Sequence, residues 1–596
     1  MASQVNILQY PIDAGSLIKN KKAIRKQLLE GRTFRIHKRI AILGGSTTSL
    51  IKDMLEIFLL NYGIKAEFYQ SEYGKYWEDA MFDNMELEDF SPDIIYIHTT
   101  ERNIKEYPAI SANEDNIRNH LEDIYLDYER MWLNLFNKYK GIIIQNNFQK
   151  PLYRLLGNRE ASDVHGKINF IDRLNWKFYD FAETHSNFYI NDIDWLSACY
   201  GLYKWSEPSY WYMYKCDPAL PAVPELALNL ANIIKSLFGL NKKALALDLD
   251  NTLWGGVIGD DGLEGIEIGK ETAKGEMYSA FQSYIKEQKA LGTVLTVVSK
   301  NEEENALAGL KREDNVLSPD DFLIIKANWQ PKDRNILEIA KAINIGEDSI
   351  VFVDDNPAER EIARAQIPGI GVPEIQLPED YIFVIDRNGY FEATNISADD
   401  MKRNEMYRAN IERTRSKAQF DSYTDYLLSL KMKAEITEFK PLYMDRISQL
   451  TNKSNQFNLT TKRYTQADIE NISSDENYVT LYGKLTDRFG DNGLVAVTIG
   501  KKRNSEEMDI DLWLMSCRVL KRDLEFAMMD AFVAKCEELG IKRIYGYYYP
   551  TAKNKMVKDF YGDMGFSLIE ESADGERAWI LDISRGYEKK NRVITV

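Results

Sequence analysis

Histidine is scarce in this chain, and its distribution excludes one kind of chemistry. The 596 residues contain five histidines, and none follows His185. The remainder of the chain therefore cannot use an imidazole as a general base. The four cysteines are widely spaced and form neither a CxxC pair nor a zinc-binding spacing. Such cysteine usage favours a reduced, cytoplasmic protein over a disulfide framework.

Long apolar runs are missing as well. No run reaches the roughly 18 residues that a membrane span needs, and the first residues lack the basic-then-apolar order of a signal peptide. The formal net charge of −17 argues against nucleic acid and against an anionic membrane as the main partner. The length predicts several domains, because one hydrophobic core does not grow to this size.

The most informative stretch is KKALALDLDNTLWGG, at 242–256. Its apolar run predicts a buried parallel strand, and Asp248 and Asp250 follow where that strand should end. In open α/β sheets, ligands bind at the carboxyl ends of the strands. The first carboxylate can attack an electrophile or bind a hard cation, and the second can protonate a leaving group and then activate water. Taken alone, the pair could equally be a solvated loop.

A second apolar run, Thr293 to Val298, ends in polar residues that suit a phosphate. Ser299, Lys300 and Asn301 follow it, and we expect them to bind a phosphoryl group. Lys332, further along, supplies a cation that can neutralise the charge of a pentacoordinate phosphoryl group. The plainer interpretations are a helix cap for Ser299 and a surface position for Lys332.

A third run, Ser349 to Val353, ends in Asp354 and Asp355. Mg²⁺ prefers oxygen ligands and keeps several waters, so a few carboxylates and a substrate phosphate are enough to bind it. Four such segments in this order favour a metal-dependent site over four unrelated loops. The candidate magnesium ligands are Asp248, Asp250, Asp354 and Asp355.

These segments resemble the four motifs of the haloacid-dehalogenase (HAD) superfamily of phosphatases and phosphotransferases, and the WGG form of the first resembles the FkbH-like branch. The resemblance implies that Asp248 is the nucleophile, Asp250 the general acid and base, and Mg²⁺ the cofactor. Between the first two motifs we expect only a turn region, GVIGDDGLEGIEIG, and one helix, Met277 to Leu291. A large cap domain is therefore not expected.

Residues 1–36 are predicted to form a helical lead-in, and residues 37–220 alternate strands and helices as in a doubly wound α/β domain. The LGGST segment around Ser46 resembles the nucleophile block of SGNH-type hydrolases. Asp194 is the candidate acid of such a site, but Ser197 stands where a histidine would be needed. A degenerate SGNH-like domain is the prediction and an active esterase the alternative. The proline-rich segment after it is predicted to be a linker.

The remaining chain is predicted as a HAD-like domain (225–375), a helical connector (376–433) and a C-terminal domain (434–596) whose order of elements resembles the GNAT acyltransferase fold. That fold binds the pyrophosphate of coenzyme A on a glycine-containing loop. The matching loop, Arg518 to Asp523, has lost both glycines, so ordinary coenzyme A binding is not expected. The predicted fold class is thus multidomain α/β: SGNH-like, capless Rossmann-like HAD, and GNAT-like α+β.

Cys517 lies directly before this loop, among Arg518, Lys521 and Arg522. Nearby cations and a helix N-terminus favour a reactive thiolate, and an inert core thiol is the alternative. The FkbH-like resemblance implies that Cys517 accepts an acyl group from an acyl phosphate such as 1,3-bisphosphoglycerate. The glyceryl unit then passes to the phosphopantetheine thiol of an acyl carrier protein. An acidic carrier is expected to dock on basic residues, namely Lys462, Arg463, Lys521, Arg522, Lys542 and Arg543.

Two other functions stay open at this point. The chain could be a plain phosphomonoesterase that acts on a small phosphorylated metabolite or a glycan precursor, with its flanking domains as binding modules. It could also be a scaffold without activity, but the intact set of four motifs argues against that. Cys517 discriminates the first two functions, because only carrier loading depends on it.

Overall fold

The computed structural model describes residues 7–32, 34, 36–139, 141–417, 419–454, 456–551 and 553–596. The chain divides into two compact units. Unit 1 comprises Met1–Leu237 and Arg387–Thr394, and unit 2 comprises Phe238–Asp386 and Asn395–Val596. Within the described residues, no helix combines the length and the apolarity that crossing a bilayer requires.

The described part of unit 1 has a five-stranded sheet in the order β2-β1-β3-β4-β5, with all neighbours parallel. The strand order moves outward from β1 in both directions, which is the doubly wound arrangement that the sequence predicts. Its strands are β1 (Ile36–Gly44), β2 (Ile64–Gln70), β3 (Ile94–His98), β4 (Ile142–Asn146) and β5 (Phe188–Asn191). Its helices are α1 (Ala14–Leu29), α2 (Ser49–Asn61), α3 (Tyr76–Met81), α4 (Met85–Phe90), α5 (Glu114–Tyr139), α6 (Lys167–Thr184), α7 (Ile193–Tyr200), α8 (Leu202–Trp205), α9 (Pro208–Tyr214) and α10 (Val223–Leu237).

The segment predicted as a linker, Asp217 to Pro224, is part of the interior of unit 1. Asp217 is only 1% exposed. Its carboxylate accepts hydrogen bonds from Ser206 Oγ at 2.9 Å and Gln149 Nε2 at 3.0 Å, and it pairs with Arg102 Nε at 3.2 Å. The linker prediction is wrong because this segment is packed into the unit, and Pro221 and Pro224 lie in the first turns of helical elements, a position that proline tolerates well.

Unit 2 contains, among its described residues, a four-stranded parallel sheet in the order β8-β7-β6-β9. Its strands are β6 (Ala244–Leu247), β7 (Val294–Ser299), β8 (Ile324–Ala327) and β9 (Ile350–Val353). β6, β7 and β9 are buried along their whole length, as their continuous apolar runs indicate. The helices around this sheet are α11 (Ile258–Gly265), α12 (Ala273–Ala290), α13 (Glu303–Leu310), α14 (Lys332–Ile343), α15 (Pro357–Gln366) and α16 (Tyr381–Arg387).

The connection between β6 and β7 is short, and it differs from the prediction in one respect. The stretch predicted as turns forms the short helix α11, which kinks at Gly262. Gly262 has a φ of 72°, a conformation that glycine adopts at little cost. α11 and α12 are the helices between the first two motifs, so no folded cap domain is inserted among these described residues.

The second sheet of unit 2 follows the order β10-β12-β13-β14-β15-β17-β16, with β11 paired to β14. Its strands are β10 (Lys433–Thr437), β11 (Phe457–Asn458), β12 (Tyr478–Asp487), β13 (Gly490–Lys502), β14 (Glu507–Met515), β15 (Arg543–Tyr548), β16 (Ser567–Glu571) and β17 (Arg577–Asp582). Its helices and those leading to it are α17 (Ala398–Met401), α18 (Arg403–Lys417), α19 (Tyr423–Ser429), α20 (Met444–Lys453), α21 (Gln466–Ser474), α22 (Leu524–Glu538) and α23 (Phe560–Asp563).

Helix prediction is less accurate near the C-terminus. The sequence from Lys553 to Met564 predicts one helix, but the structure has a 3₁₀ turn, Lys555–Val557, followed by the four-residue helix α23. α21 was not predicted. Thr465 caps that helix and pairs reciprocally with Asp468, a capping box that could have revealed it.

β14 and β15 are parallel neighbours that pair over only three residues before they diverge. Residues of the chain itself fill the opening between these two diverging strands. On the β14 side, β11 pairs with Leu514 and Met515, and on the β15 side, Tyr549 N donates to Leu459 O at 2.9 Å. The loop after β14 keeps a glycine-like shape without glycine, since Lys521 and Asp523 have φ values of 61° and 62°.

Arg522 fixes this loop from inside the protein. Its guanidinium pairs with Asp487 at 3.1 Å and donates to Asn410 Oδ1 at 2.6 Å, and Asp487 also pairs with Arg413 at 2.8 Å. The Asp487 side chain is fully buried. One buried carboxylate is thus the shared counter-charge of two buried guanidinium groups.

We predict that Asp487→Ala lowers the free energy of unfolding of unit 2 by about 3–5 kcal/mol, because it leaves two buried cations without a counter-charge. Urea denaturation, followed by hydrogen exchange of peptides from β12 to β14, measures the change. The control is Glu506→Ala, which removes the partner of the exposed Lys542 and should cost less than about 1 kcal/mol. Equal losses in the two variants would contradict the prediction.

Candidate active site

The acidic residues of the first and last motifs meet at one edge of the four-stranded sheet. Asp248 follows β6, and its backbone N–H donates to Val353 O at 3.0 Å. Asp354 follows β9, the neighbour of β6, and Ser299 ends β7, the neighbour on the other side. Because these strands are parallel, their carboxyl ends share one edge, which is where ligands bind in such sheets.

Three carboxylates at this edge are close enough to hold one metal ion. Oxygen atoms of Asp248, Asp354 and Asp355 lie within 4.8 Å of one another. Lys332 Nζ lies 3.0 Å from Asp248 Oδ2 and 2.6 Å from Asp354 Oδ2. Three carboxylates and one ammonium group leave two formal negative charges when all are ionised, which matches a divalent cation.

One carboxylate oxygen of this group has no hydrogen-bond donor among the described residues. Asp248 is 5% exposed, and its Oδ1 has no hydrogen-bond partner among the described residues. A buried carboxylate oxygen without a donor costs free energy unless a ligand completes it. The donor set and this oxygen therefore fit Mg²⁺, a phosphoryl group, or both.

Burial dominates the protonation equilibria of the group. It raises the pKa of Asp248 to about 6, although the nearby Lys332 opposes the shift. Burial also raises the pKa of Asp354 and of Asp355. For Lys332 burial alone would lower the pKa, but attraction to Asp248 and Asp354 outweighs it and raises the pKa. Lys332 therefore stays charged between the two acids.

The structure does not bring the Asp250 carboxylate into this group of three. Its Oδ1 accepts from Trp254 Nε1 at 2.8 Å and from Ile258 N at 3.1 Å, and its Oδ2 accepts from Asn301 Nδ2 at 2.9 Å. These donors fix the orientation of the Asp250 carboxylate. The side chain is therefore not in the metal-ligand position that the sequence predicts. The buried Trp254 explains why tryptophan stands four residues after the aspartate.

The three residues expected to bind phosphate after β7 have different surroundings. Ser299 is buried, and its Oγ accepts from Asn301 Nδ2 at 3.2 Å. Lys300 pairs instead with Glu359 at 2.5 Å and is partly exposed. Lys332, on the first turn of α14, is the cation that the structure places against the acids.

Two residues that support the site were missed in the sequence. The buried Arg360 donates through Nη1 to the carbonyl oxygens of Asp354 and Asp355, both at 2.8 Å. The buried Thr252 accepts from Asp355 N at 3.2 Å. Both fix the backbone that carries the acids. Arg360 is the fourth residue of α15, the helix that follows the two acids, and this placement was the available signal for it.

Cys517 lies away from the acids. It begins a 3₁₀ turn after β14, is half-buried, and its carbonyl accepts from Asn344 Nδ2 at 2.9 Å. Asn344 ends α14 and precedes β9, so Cys517 sits at the amino edge of the four-stranded sheet, together with Lys243. Lys243 and Asp248 are five residues apart along β6, about 16 Å at roughly 3.3 Å per residue.

Several of the basic residues expected to form a docking surface are already engaged. Arg522 is buried against Asp487. Lys542 pairs with Glu506, and Arg543 pairs with Glu507. Lys462 pairs with Asp511. These contacts weaken the expectation of a free basic patch built from this set.

In unit 1, Ser46 is buried and lacks the predicted acid. Its Oγ donates to the Asp217 carbonyl at 3.2 Å. Asp194 instead pairs with Lys150 at 2.7 Å. His98 was not predicted to lie here, but its Nε2 also reaches the Asp217 carbonyl, at 2.8 Å. The Ser46 hydroxyl and the His98 imidazole thus contact the same backbone carbonyl, that of Asp217.

The chain is similar to known proteins over most of its length. Residues 39–235 match the family model described as the N-terminal domain of FkbH. A crystal structure of the N-terminal part of the protein BF1531 from Bacteroides fragilis, which contains a phosphatase domain complexed with Mg, is 29% identical; the match covers 63% of this chain and 99% of that chain, with a TM-score of 0.59. The FkbH-like resemblance and the multidomain α/β class are thereby confirmed.

Matches to the C-terminal part are weaker. Ard1 from Thermoplasma volcanium is 22% identical, and the match covers 25% of this chain and 94% of that chain. The ribosomal-protein-S18-alanine N-acetyltransferase from Escherichia coli is 16% identical, and the match covers 27% of this chain and 99% of that chain. Both have a TM-score of 0.20. Scores this low support no fold assignment, so the C-terminal description rests on its own strands. Among curated proteins, none matches the chain.

The His98 network yields a prediction about pH. Asn146 Nδ2 donates to His98 Nδ1 at 2.9 Å, so a proton at Nδ1 would face a donor. Burial lowers the pKa of His98 to about 4, below the 6.5 of an exposed histidine. Because the folded-state pKa is the lower one, the stabilisation is complete above pH 6.5 and is lost as the pH falls toward 4, by roughly 3 kcal/mol. Hydrogen exchange of β3 at pH 7 and pH 5, corrected for intrinsic rates, should show roughly 2 kcal/mol of this loss. His98→Gln should show a smaller one, and equal pH dependence would contradict the prediction.

Proposed function

We propose that this chain is a magnesium-dependent HAD-type phosphatase that also loads an acyl group onto a carrier protein. The observation that carries the phosphatase part is the group of three buried or half-buried carboxylates with Lys332 and one unpaired oxygen, at the carboxyl edge of a parallel sheet. The magnesium complex of the similar Bacteroides fragilis phosphatase domain supports the choice of metal.

The residues present suggest how phosphate is removed. Asp248 Oδ1 attacks phosphorus to give an aspartyl phosphate, and the leaving oxygen takes a proton from Asp250. Asp250 then deprotonates the water that hydrolyses the intermediate. Ser299 and Lys332 lie beside Asp248 and are placed to bind oxygens of the transferred group. Asp248, Asp354 and Asp355 would hold Mg²⁺, which when bound neutralises charge on the phosphoryl group and on the carboxylates.

Acyl loading needs a different bond to break. If Asp248 attacked the phosphorus of an acyl phosphate, the acyl group would leave as an unactivated carboxylate. A thioester forms only if a thiol attacks the carbonyl carbon, so that the carbon–oxygen bond breaks and phosphate leaves. We therefore assign the carbonyl attack to Cys517 and the removal of a second, ester-linked phosphate to Asp248. A substrate such as 1,3-bisphosphoglycerate contains both bonds.

The separation of the two groups fits this division. Cys517 is near the amino edge of the sheet, in the same cavity as Lys243, and Asp248 is at the carboxyl edge; Lys243 and Asp248 are about 16 Å apart along β6. One bound molecule cannot touch both. The acyl group must travel, and the flexible phosphopantetheine arm of an acyl carrier protein is a carrier that can take the thioester from Cys517 by thiol exchange. The SGNH-like unit, with Ser46 covered, is assigned a binding role.

A plain phosphomonoesterase is the second candidate. The same separation favours it, because a phosphatase site that acts alone needs no thiol. In that case Cys517 takes no part in turnover, and the C-terminal part of unit 2 is a binding module. The two candidates share the roles of Asp248 and Lys332 and differ only in the covalent chemistry at the thiol.

Intact-mass spectrometry with phosphate detection separates the candidates. The protein is incubated with Mg²⁺ and freshly generated 1,3-bisphosphoglycerate, beside Asp248→Asn and Cys517→Ser. We expect the wild type to carry a glyceryl adduct on Cys517, because free substrate that has lost its ester-linked phosphate at Asp248 still has the acyl phosphate that the thiol attacks. Asp248→Asn should accumulate the phosphoglyceryl form, because the thiol still reacts, and should release phosphate from a simple phosphomonoester at least about 10³-fold more slowly. Cys517→Ser should carry no adduct but keep phosphomonoesterase activity.

Asp320→Asn, at an exposed position of the same domain, serves as the matched control and should behave as wild type. An adduct that persists in Cys517→Ser would overturn the assignment of the thiol. Absence of any adduct, together with Asp248-dependent phosphate release, would establish the phosphomonoesterase. Phosphate release that survives Asp248→Asn would refute both candidates.

A further inference from the structure

Unit 2 contains a cavity at the amino edge of the four-stranded sheet. Its volume is about 490 Å³. Lys243 and the turn before β9 line one side, the segment around α17 and α18 lines another, and α20 with the end of β14 lines the third. The acids of the phosphatase site are at the opposite edge of the same sheet and are not among the lining residues. This cavity is large enough for a small phosphorylated molecule.

Cations outnumber acids in the wall of the cavity. Six basic side chains line it against four acidic ones, Glu347, Asp348, Asp399 and Asp400, which leaves an excess of two positive charges. The basic side chains are Lys243, Arg403, Arg446, Lys453, Arg518 and Lys553.

Four of the six cations are paired. Lys553 lies 2.5 Å from Asp348, Arg446 lies 3.0 Å from Asp399, and Lys453 lies 3.1 Å from Asp400, which Arg403 also contacts. These pairs are structural, since three of the four contacts join different segments of the wall. They account for three of the acids and leave two basic residues.

Lys243 and Arg518 are those two. Within the described residues, neither has a carboxylate at salt-bridge distance. Arg518 Nε donates to Ser516 Oγ at 3.2 Å, and its Nη1 contacts Met406 Sδ. Burial lowers the pKa of Lys243; Arg403 and Lys553 add to this shift, and Cys517 and Asp348 oppose it without reversing it. Burial and Arg446 lower the pKa of Arg518 to about 10. Both cations are thus held in surroundings that destabilise their charge.

We infer that this cavity is a second anion site, which binds the phosphate group of a small ligand through Lys243 and Arg518 and directs the rest of the ligand toward Cys517. A phosphomonoester carries about two negative charges near neutral pH, which equals the excess of the wall, and it accepts charge-assisted hydrogen bonds from both cations. The inference goes beyond the proposed function, because the cavity and its charges do not depend on the acids at the other edge.

Cys517 provides the means to test the site. It lines the cavity and is half-buried, whereas Cys199 in unit 1 is exposed and serves as an internal reference thiol. The rate of alkylation by iodoacetamide is measured at each cysteine by peptide mass spectrometry, with EDTA present to remove divalent metal. The probe is inorganic phosphate, compared with chloride at equal ionic strength.

Phosphate should slow the alkylation of Cys517 in a saturable way and leave Cys199 unchanged. Lys243→Met should raise the phosphate concentration for half-protection roughly tenfold, the equivalent of one charge-assisted hydrogen bond. Arg518→Met should do the same. The matched control, Lys326→Met, removes a surface lysine that pairs with Glu338 and should change nothing. Asp248→Asn should keep full protection, which separates this site from the phosphatase site.

The source of the phosphate is resolved by two further probes. Stronger protection by 4′-phosphopantetheine than by glycerol phosphate assigns the site to a carrier arm, and the reverse order assigns it to a free metabolite. The inference is overturned if phosphate protects neither thiol or both equally. It is also overturned if Lys243→Met, with unchanged circular dichroism, is protected as well as wild type, or if Asp248→Asn abolishes protection.

Discussion

The pairing of Lys332 with both Asp248 and Asp354 is the interaction on which the candidate site depends. Two carboxylates from neighbouring strands would repel each other at this distance, and the ammonium group between them makes the arrangement stable. α14 presents Lys332 on its first turn, and Arg360 holds the backbone of the acids from α15. A divalent cation would compensate the remaining negative charge of the group, and the unpaired Asp248 Oδ1 is available to contact the cation or a phosphoryl group.

The four-stranded sheet also explains why unit 2 presents two chemically different sites. Its carboxyl edge collects acids, and its amino edge, where the C-terminal part of the chain packs, collects cations and a thiol. β6 joins them, with Lys243 before the strand and Asp248 after it. A short, fully buried strand thus fixes both the separation and the relative position of the sites. In the reaction proposed above, the acyl group would therefore have to be carried from one site to the other, because the two sites are not in direct contact.

The acidic motifs were predictable because each follows a continuous apolar run, and buried parallel strands place such residues at a common edge. The orientation of each side chain was not predictable. The Asp250 carboxylate points toward Trp254 and Asn301 because tertiary packing brings those donors to it. His98 could not be predicted as a neighbour of Ser46, since the Asp217 segment that joins them lies 119 residues further along the chain. The capping box of α21 was visible in the sequence, whereas the pairing of Arg522 with Asp487 needed the folded chain.

The most direct test of the central claim is anomalous diffraction from a crystal soaked in Mn²⁺, which replaces Mg²⁺ at oxygen-ligand sites. The account predicts one strong peak within coordination distance of carboxylate oxygens of Asp248 and of Asp354 or Asp355, with Lys332 displaced from at least one of the two acids it now bridges. A peak at other acids, or an unchanged Lys332 bridge without a peak in a fully soaked crystal, would contradict it.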